Sequence, residues 1–305
     1  MLQSNSDKHP RLVVVLGVIC GLGALGGLLF APADLRGQEP FALNGNMLEE
    51  RAGGLEVLAG NGGEEDEIET DRDSYTPATS VVGRRRLVVE SAYSFIDNRH
   101  VPETHSFPEL IARYGWSERL ELRVGWNYEV GGAGNLISGN VPDVEEEEME
   151  LERESRMLFG TKLALTQQRG WLPSSAAILQ GYTPTSGRAN DSSISASYIM
   201  GWELTNRWVW DSGLRFSTSS AGEDHFNAWS PSTVLKMPIG ERWRGHIEYF
   251  SVFTQGRDTE STQHFFSPGL HYLITRDWEV GLRVGWGLNE QSPNFFTNVG
   301  LGIRY

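Results

Sequence analysis

Cys20 is the only cysteine in this 305-residue chain, which rules out a disulfide framework or a multi-cysteine metal site within it. Neither a Gly-rich phosphate loop nor a zinc-spaced His/Cys cluster occurs. A basic stripe to meet phosphate is also missing, and the net charge is −14, which argues against a nucleic-acid partner. Long apolar runs are scarce. The one present, Leu12–Phe30, follows Lys8 and Arg11 and precedes Ala31-Pro32-Ala33. That order is the pattern of a secretory signal peptide, residues 1–33. Five glycines in the run weaken the rival reading as a helical anchor. Gly17-Val18-Ile19 ahead of Cys20 does not resemble a lipoprotein cleavage box.

The negative charge is concentrated in two segments. Glu39 to Ser80 holds eleven acids against two bases, a local charge of −9. Val130 to Ser155 holds eight acids against one base, a local −7 that includes Glu145-Glu146-Glu147-Glu148. Residues 34–84 are Gly-rich and acidic and show no apolar periodicity, so the reading is a disordered periplasmic leader. Consecutive carboxylates on a flexible backbone rarely converge on one ion, so the second acidic segment reads as a solvated external loop.

From residue 85 the pattern changes. Twelve segments of roughly ten residues each, the length of a tilted spanning strand, run from 85–95, 106–115 and 119–129 through to 278–288 and 294–305. In 119–129, Leu120, Leu122, Val124, Trp126 and Tyr128 share one face, while Glu121, Arg123, Gly125, Asn127 and Glu129 share the other. The segment 278–288 repeats this, including Leu-Arg-Val-Gly-Trp at 122–126 and 282–286. The last twelve residues alternate likewise and stop on Tyr305, the form of a closing barrel strand that outer-membrane assembly machinery would engage. Pro231 and Pro268 each remove one ladder donor within a strand and could mark bulges or strand starts.

Alternation alone would also suit a soluble barrel with an apolar interior. Full charges on the polar faces argue instead for a polar, water-filled lumen. Aromatics lie at strand ends in two rows: Tyr114, Trp171, Trp208, Trp243, Trp278 and Tyr305 on one side, and Trp126, Tyr128, Trp229, Phe253, Trp286 and Phe295 on the other. Such rows are interfacial girdles. The fold class is therefore all-β, a closed antiparallel transmembrane barrel over 85–305, in the outer membrane of a Gram-negative-type envelope.

Three stretches carry a family resemblance: Glu69-Thr70-Asp71-Arg72-Asp73-Ser74-Tyr75-Thr76-Pro77, Val88 to Phe95, and Arg113 to Leu122. They resemble the outer-membrane transporter family named for a MetA pathway of phenol degradation. The resemblance implies a porin-like channel for aromatic or other hydrophobic compounds, with the lipid bilayer and a small-molecule solute as partners. It implies no cofactor.

Lumen candidates follow from the strand faces. Arg123, Arg215 and Arg283 fall on the third, seventh and eleventh strands, preceded on the same face by Glu121, Asp211 and Glu279. A ring at similar depth would form a constriction that sets ion preference; bracing of the wall by neighbouring acids is the alternative. Arg113 is expected opposite Glu121, and Arg244 and Glu248 complete the inward set. Two further readings remain. One is a non-conducting structural barrel, its charges paired across a narrow interior, whose loops bind other molecules. The other is an outer-membrane lipid hydrolase, which needs a Ser and a His on one outward face. His264 lies on the apolar face but Ser267 has the opposite parity, and His246 and His271 face the lumen, so no enzyme is expected.

Overall fold

The computed structural model describes residues 67–305, apart from 73, 140–150, 188–190, 222–223 and 258–259. The signal peptide, the leader up to residue 66 and Glu145–Glu148 lie outside the described residues.

Twelve antiparallel strands form one closed barrel, each paired with its sequence neighbours. They are β1 (Leu87–Asp97), β2 (Thr104–Gly115), β3 (Leu120–Gly131), β4 (Glu152–Thr166), β5 (Ser174–Ser186), β6 (Ser193–Glu203), β7 (Val209–Ala221), β8 (Asp224–Ile239), β9 (Trp243–Gln255), β10 (Thr262–Thr275), β11 (Trp278–Gly287) and β12 (Phe295–Arg304). β1 pairs with β12 from Val88↔Arg304 to Asp97↔Phe295, closing the cylinder. Closure satisfies the backbone groups of an all-β span in hydrocarbon, where water cannot.

The period-two pattern explains the orientation of the wall. Leu122, Val124, Leu282, Val299 and Leu301 point outward and are exposed. Alternating with them, Glu121, Arg123, Glu279 and Arg283 are at most 3% exposed. Pro231 and Pro268 mark neither bulges nor strand starts but sit in mid-strand, inside β8 and β10. The pairs Trp229↔Phe253 and Ser232↔Phe250 keep one register across the first, and Phe266↔Trp286 and Gly269↔Arg283 keep one register across the second.

The start of β1 and the end of β12 lie on the same side, together with the connections 116–119, 167–173, 204–208, 240–242 and 276–277. We call this the termini end. Trp171, Trp208, Trp243, Trp278 and Tyr305 are exposed there, as an interfacial row requires. The opposite, loop end carries the segment between β3 and β4.

The interior differs from the sequence expectation in two respects. Residues 67–72 and 74–82 are not a leader outside the barrel: Ile68, Asp71, Ser74, Tyr75 and Thr76 are at most 1% exposed, and all of these but Ser74 bond to inward side chains of the wall. The segment is a plug. Small wall residues make room for it. A Cβ on Gly302 would lie 2.3 Å from Thr70, and one on Gly115 would lie 2.1 Å from the Gly83 carbonyl. The start of the β3–β4 loop also folds inward, with Asn135, Leu136, Ile137 and Ser138 buried, and so is not solvated as expected.

Candidate functional site

The plug is U-shaped. It enters at the termini end, where the Ile68 amide donates to the Arg276 carbonyl at 2.8 Å and the Ile68 carbonyl accepts from Arg244 at 3.1 Å. It turns at Ser74–Thr76, where the Ser74 hydroxyl donates to the Thr76 carbonyl at 2.6 Å. It leaves by the same end, the Val82 amide donating to Glu121 at 2.9 Å. A hydrogen bond from Ser80 to Glu69 ties the two arms together.

Asp71 anchors the inbound arm. Its carboxylate lies 2.9 Å from Arg123, 3.2 Å from Lys162 and 3.6 Å from Arg113. Arg113 also meets Glu90 at 2.8 Å and Glu121 at 3.0 Å. Three wall cations therefore converge on one plug carboxylate, and wall acids hold the cations. Burial disfavours ionisation of Asp71, but Arg113, Lys162 and Arg123 outweigh it and hold the carboxyl well below the usual range. The plug returns a cation to the wall: Arg72 meets Glu109 at 3.0 Å. Glu90, Arg113, Glu121, Arg123 and Lys162 are at most 1% exposed, so at this depth their charges meet one another and the plug. The water-filled lumen expected from the polar faces is not what surrounds them here.

Glu248 on β9 holds the tip. It accepts from the Tyr75 amide at 2.9 Å, the Thr76 amide at 2.7 Å and the Thr76 hydroxyl at 2.8 Å. Around the tip the wall turns apolar. Tyr75, Ile96, Phe250, Val252, Phe265 and Phe296 form a buried cluster with Ala228 and Ile137.

All nine lumen candidates lie on the inner side of the wall or at its rim, and most meet the plug. Glu279 accepts from the Thr70 hydroxyl at 2.8 Å and lies 3.5 Å from Arg244. Asp211 lies 3.6 Å from Lys236. The three arginines of the expected ring each reach an inner segment. Arg123 holds Asp71. Arg215 donates to the Gly139 carbonyl at 2.9 Å and places its guanidinium 4.5 Å from the Tyr75 ring centroid. Arg283 donates to the Ile137 carbonyl and lies 3.4 Å from Glu248. Arg113 and Glu121 do pair, but diagonally: Arg113 faces Arg123 and Gly115 faces Glu121 in the ladder.

Above the tip, at the loop end, is a cavity of about 470 Å³. Its lining includes Arg99, His100, Leu136, Arg257, Glu260 and Glu290. Leu136 lines this vestibule while its neighbour Ile137 packs into the tip cluster, so the inward loop separates the two spaces. The sequence reading missed both, although the plug tip lies within the motif that carried the family resemblance.

The sequence reading also did not weigh Ser251. It faces outward on β9, opposite His264 on β10. His264 Nδ1 lies 2.9 Å from the Ser251 oxygen and 2.8 Å from the Tyr249 hydroxyl. His246 and His271 face the lumen as expected and share a 2.9 Å hydrogen bond.

No curated protein matches this chain. Among solved structures it is similar to the COG4313 outer membrane channel from Pseudomonas putida F1, with a TM-score of 0.52 and 14% identity over 78% of this chain and 100% of that one. It is also similar to the NanC porin, with a TM-score of 0.47 and 10% identity over 71% of this chain and 98% of the porin. The translocator domain of the autotransporter NalP from Neisseria meningitidis gives a TM-score of 0.47 and 10% identity over 85% of this chain and 95% of that one. The first of these supports an outer-membrane type of barrel fold. A family model described as "Putative MetA-pathway of phenol degradation" matches residues 70–305.

Proposed function

The chain belongs to this MetA-pathway family, and from that premise we propose that it is an outer-membrane channel for small aromatic or hydrophobic solutes. The observation that carries the reading is the division of the lumen. Its lower part is charged and occupied by the Asp71 anchor, while around the plug tip, on the side of β1, β8–β10 and β12, lies an apolar cluster with four aromatic rings. That apolar lining offers burial and ring stacking to an aromatic solute, a larger gain than a strongly hydrated sugar or inorganic ion would draw from it. The vestibule collects solute at the loop end, which faces outside in this reading. The termini end and its turns face the periplasm. β12 supplies the closing strand that the assembly machinery recognises.

A plugged lumen also suits a non-conducting barrel. The plug is held by ion pairs, hydrogen bonds and apolar packing, all non-covalent, so it can be displaced without breaking a covalent bond. Efflux from liposomes loaded with p-cresol or with glucose tests the reading. Loaded liposomes carrying the wild-type protein should release p-cresol faster than loaded protein-free liposomes do, and glucose no faster. Equal rates for both solutes, or none above background, would remove the channel reading.

The Ser251–His264 pair favours the lipid-hydrolase reading only weakly. His264 Nδ1 is shared between two hydroxyl groups, and Ser251 is 1% exposed. We assign the pair to the aromatic rim of the barrel.

A further inference from the structure

The Tyr75 ring is held between two wall groups. On one face it stacks on Phe250, with centroids 4.3 Å apart and planes 7° from parallel. Over the ring, 4.5 Å from its centroid, is the Arg215 guanidinium. Phe265 stacks behind Phe250 at 4.6 Å, and Phe296 closes the far side at 6.2 Å from both phenylalanines. The slot is one ring thick. Apart from Ile137, its walls come from spanning strands, whereas its occupant comes from a plug held at the backbone by Glu248. Moving the ring therefore needs a side-chain rotation and not the release of the Asp71 anchor.

We propose that this slot is a binding site for one-ring, electron-rich aromatic solutes, and that Tyr75 is its tethered occupant. The inference rests on the channel reading for its biological use, but its chemistry stands on the geometry. A phenolic solute carries the same ring as the Tyr75 side chain, so the ring contacts from Phe250 and Arg215 that hold Tyr75 would also hold the solute. Stacking on Phe250 requires a flat ring. A guanidinium over a π-face is attracted to the ring quadrupole, so the slot selects electron-rich rings and discriminates against saturated ones. Entry runs from the vestibule past Leu136 and Ile137. Solute and Tyr75 exclude one another, so apparent affinity in the wild type is the intrinsic affinity multiplied by the fraction of time the slot is vacant.

The probe is p-cresol, with 4-methylcyclohexanol as the saturated control, titrated into detergent-folded protein carrying ¹³C-labelled tyrosine. In the wild type, p-cresol should shift the ring resonance of Tyr75, assigned by its loss in Tyr75→Phe. The saturated alcohol should leave it in place. In Tyr75→Ala, p-cresol should bind roughly tenfold more tightly or better, since the occupant is gone. Arg215→Gln combined with Tyr75→Ala should narrow the preference for p-cresol over the saturated alcohol by several-fold, while stacking on Phe250 keeps the aromatic probe ahead. A Tyr75 resonance unmoved at millimolar p-cresol would overturn the proposal even if Tyr75→Ala fails to fold. So would equal binding of both probes by Tyr75→Ala. Displacement of Tyr75 without p-cresol efflux from liposomes would leave the site standing and remove the channel reading. Efflux without displacement would do the reverse.

Discussion

Asp71, sixteen residues ahead of the first strand, is salt-bridged at 2.9 Å to Arg123 on the third. The contact joins a segment that spans no membrane to the wall that does. Removing one partner from a buried ion network costs about 3–5 kcal/mol, because the other charges are left uncompensated. Asp71→Asn leaves Arg113, Arg123 and Lys162 facing a neutral group. The variant should show a lowered unfolding midpoint in the heat-dependent gel shift and a plug that proteases cut in the detergent-folded protein. A variant as resistant as the wild type would show that Asp71 is not the anchor.

The same carboxyl sets an acid limit. Asp71 sits on the plug, outside the spanning strands, and its pKa is lowered against the opposing effect of burial. A lowered pKa contributes stability that is present above the unfolded value, about 3.9 for an aspartate. That stability is lost as pH falls through the folded value. Plug protection should therefore hold from pH 7 to about 4 and weaken only in stronger acid. Asp71→Asn should lack this acid-dependent loss. Proteolysis of the plug followed against pH measures it, and exposure of the wild-type plug at pH 6 would assign control to another group.

Leu282 tests the lipid face. An arginine at the midplane of such a barrel costs about 2–4 kcal/mol, so Leu282→Arg should assemble poorly. Gly213 faces inward, and an added Cβ would meet the Ser232 hydroxyl at an ordinary 3.5 Å, so Gly213→Ala should assemble normally. Gly281 differs, because a Cβ there would lie 2.4 Å from His271, and Gly281→Ala should fall between the two. The yield of heat-modifiable barrel ranks the three variants, and normal assembly of Leu282→Arg would overturn the face assignment.

Ser251 tests the hydrolase reading. Wild type and Ser251→Ala should both fail to release fatty acid from phospholipid vesicles. Release by the wild type that Ser251→Ala abolishes would make this barrel an enzyme.

Much of the wall was legible in the sequence, because a barrel strand repeats every two residues and each repeat reports its face. Arg123, Glu279 and Arg283 could be placed inside from their neighbours alone. Register was less legible. The pairing of Arg113 with Arg123, two residues from the expected Glu121, depends on turn geometry that local pattern does not encode. The plug was not legible from pattern at all. Residues 67–82 have no periodicity, and their acids read as solvated because nothing local shows that Asp71 will meet three cations drawn from β2, β3 and β4. The only sequence signal for it was the motif around Asp71 and Tyr75, recognised by resemblance and not by physics.

Gly83–Arg86 is all that separates Val82, at the end of the plug, from the first strand at Leu87. A short tether gives an attached segment an effective concentration on the order of millimolar or more. A plug that detaches therefore stays beside its own binding groups, and its return is a unimolecular step. Openings of such a lumen would be brief bursts whose length is set by that return and does not depend on how many molecules are present. Cutting the chain between Gly83 and Leu87 would make the same equilibrium bimolecular, and dilution alone would then favour the open state.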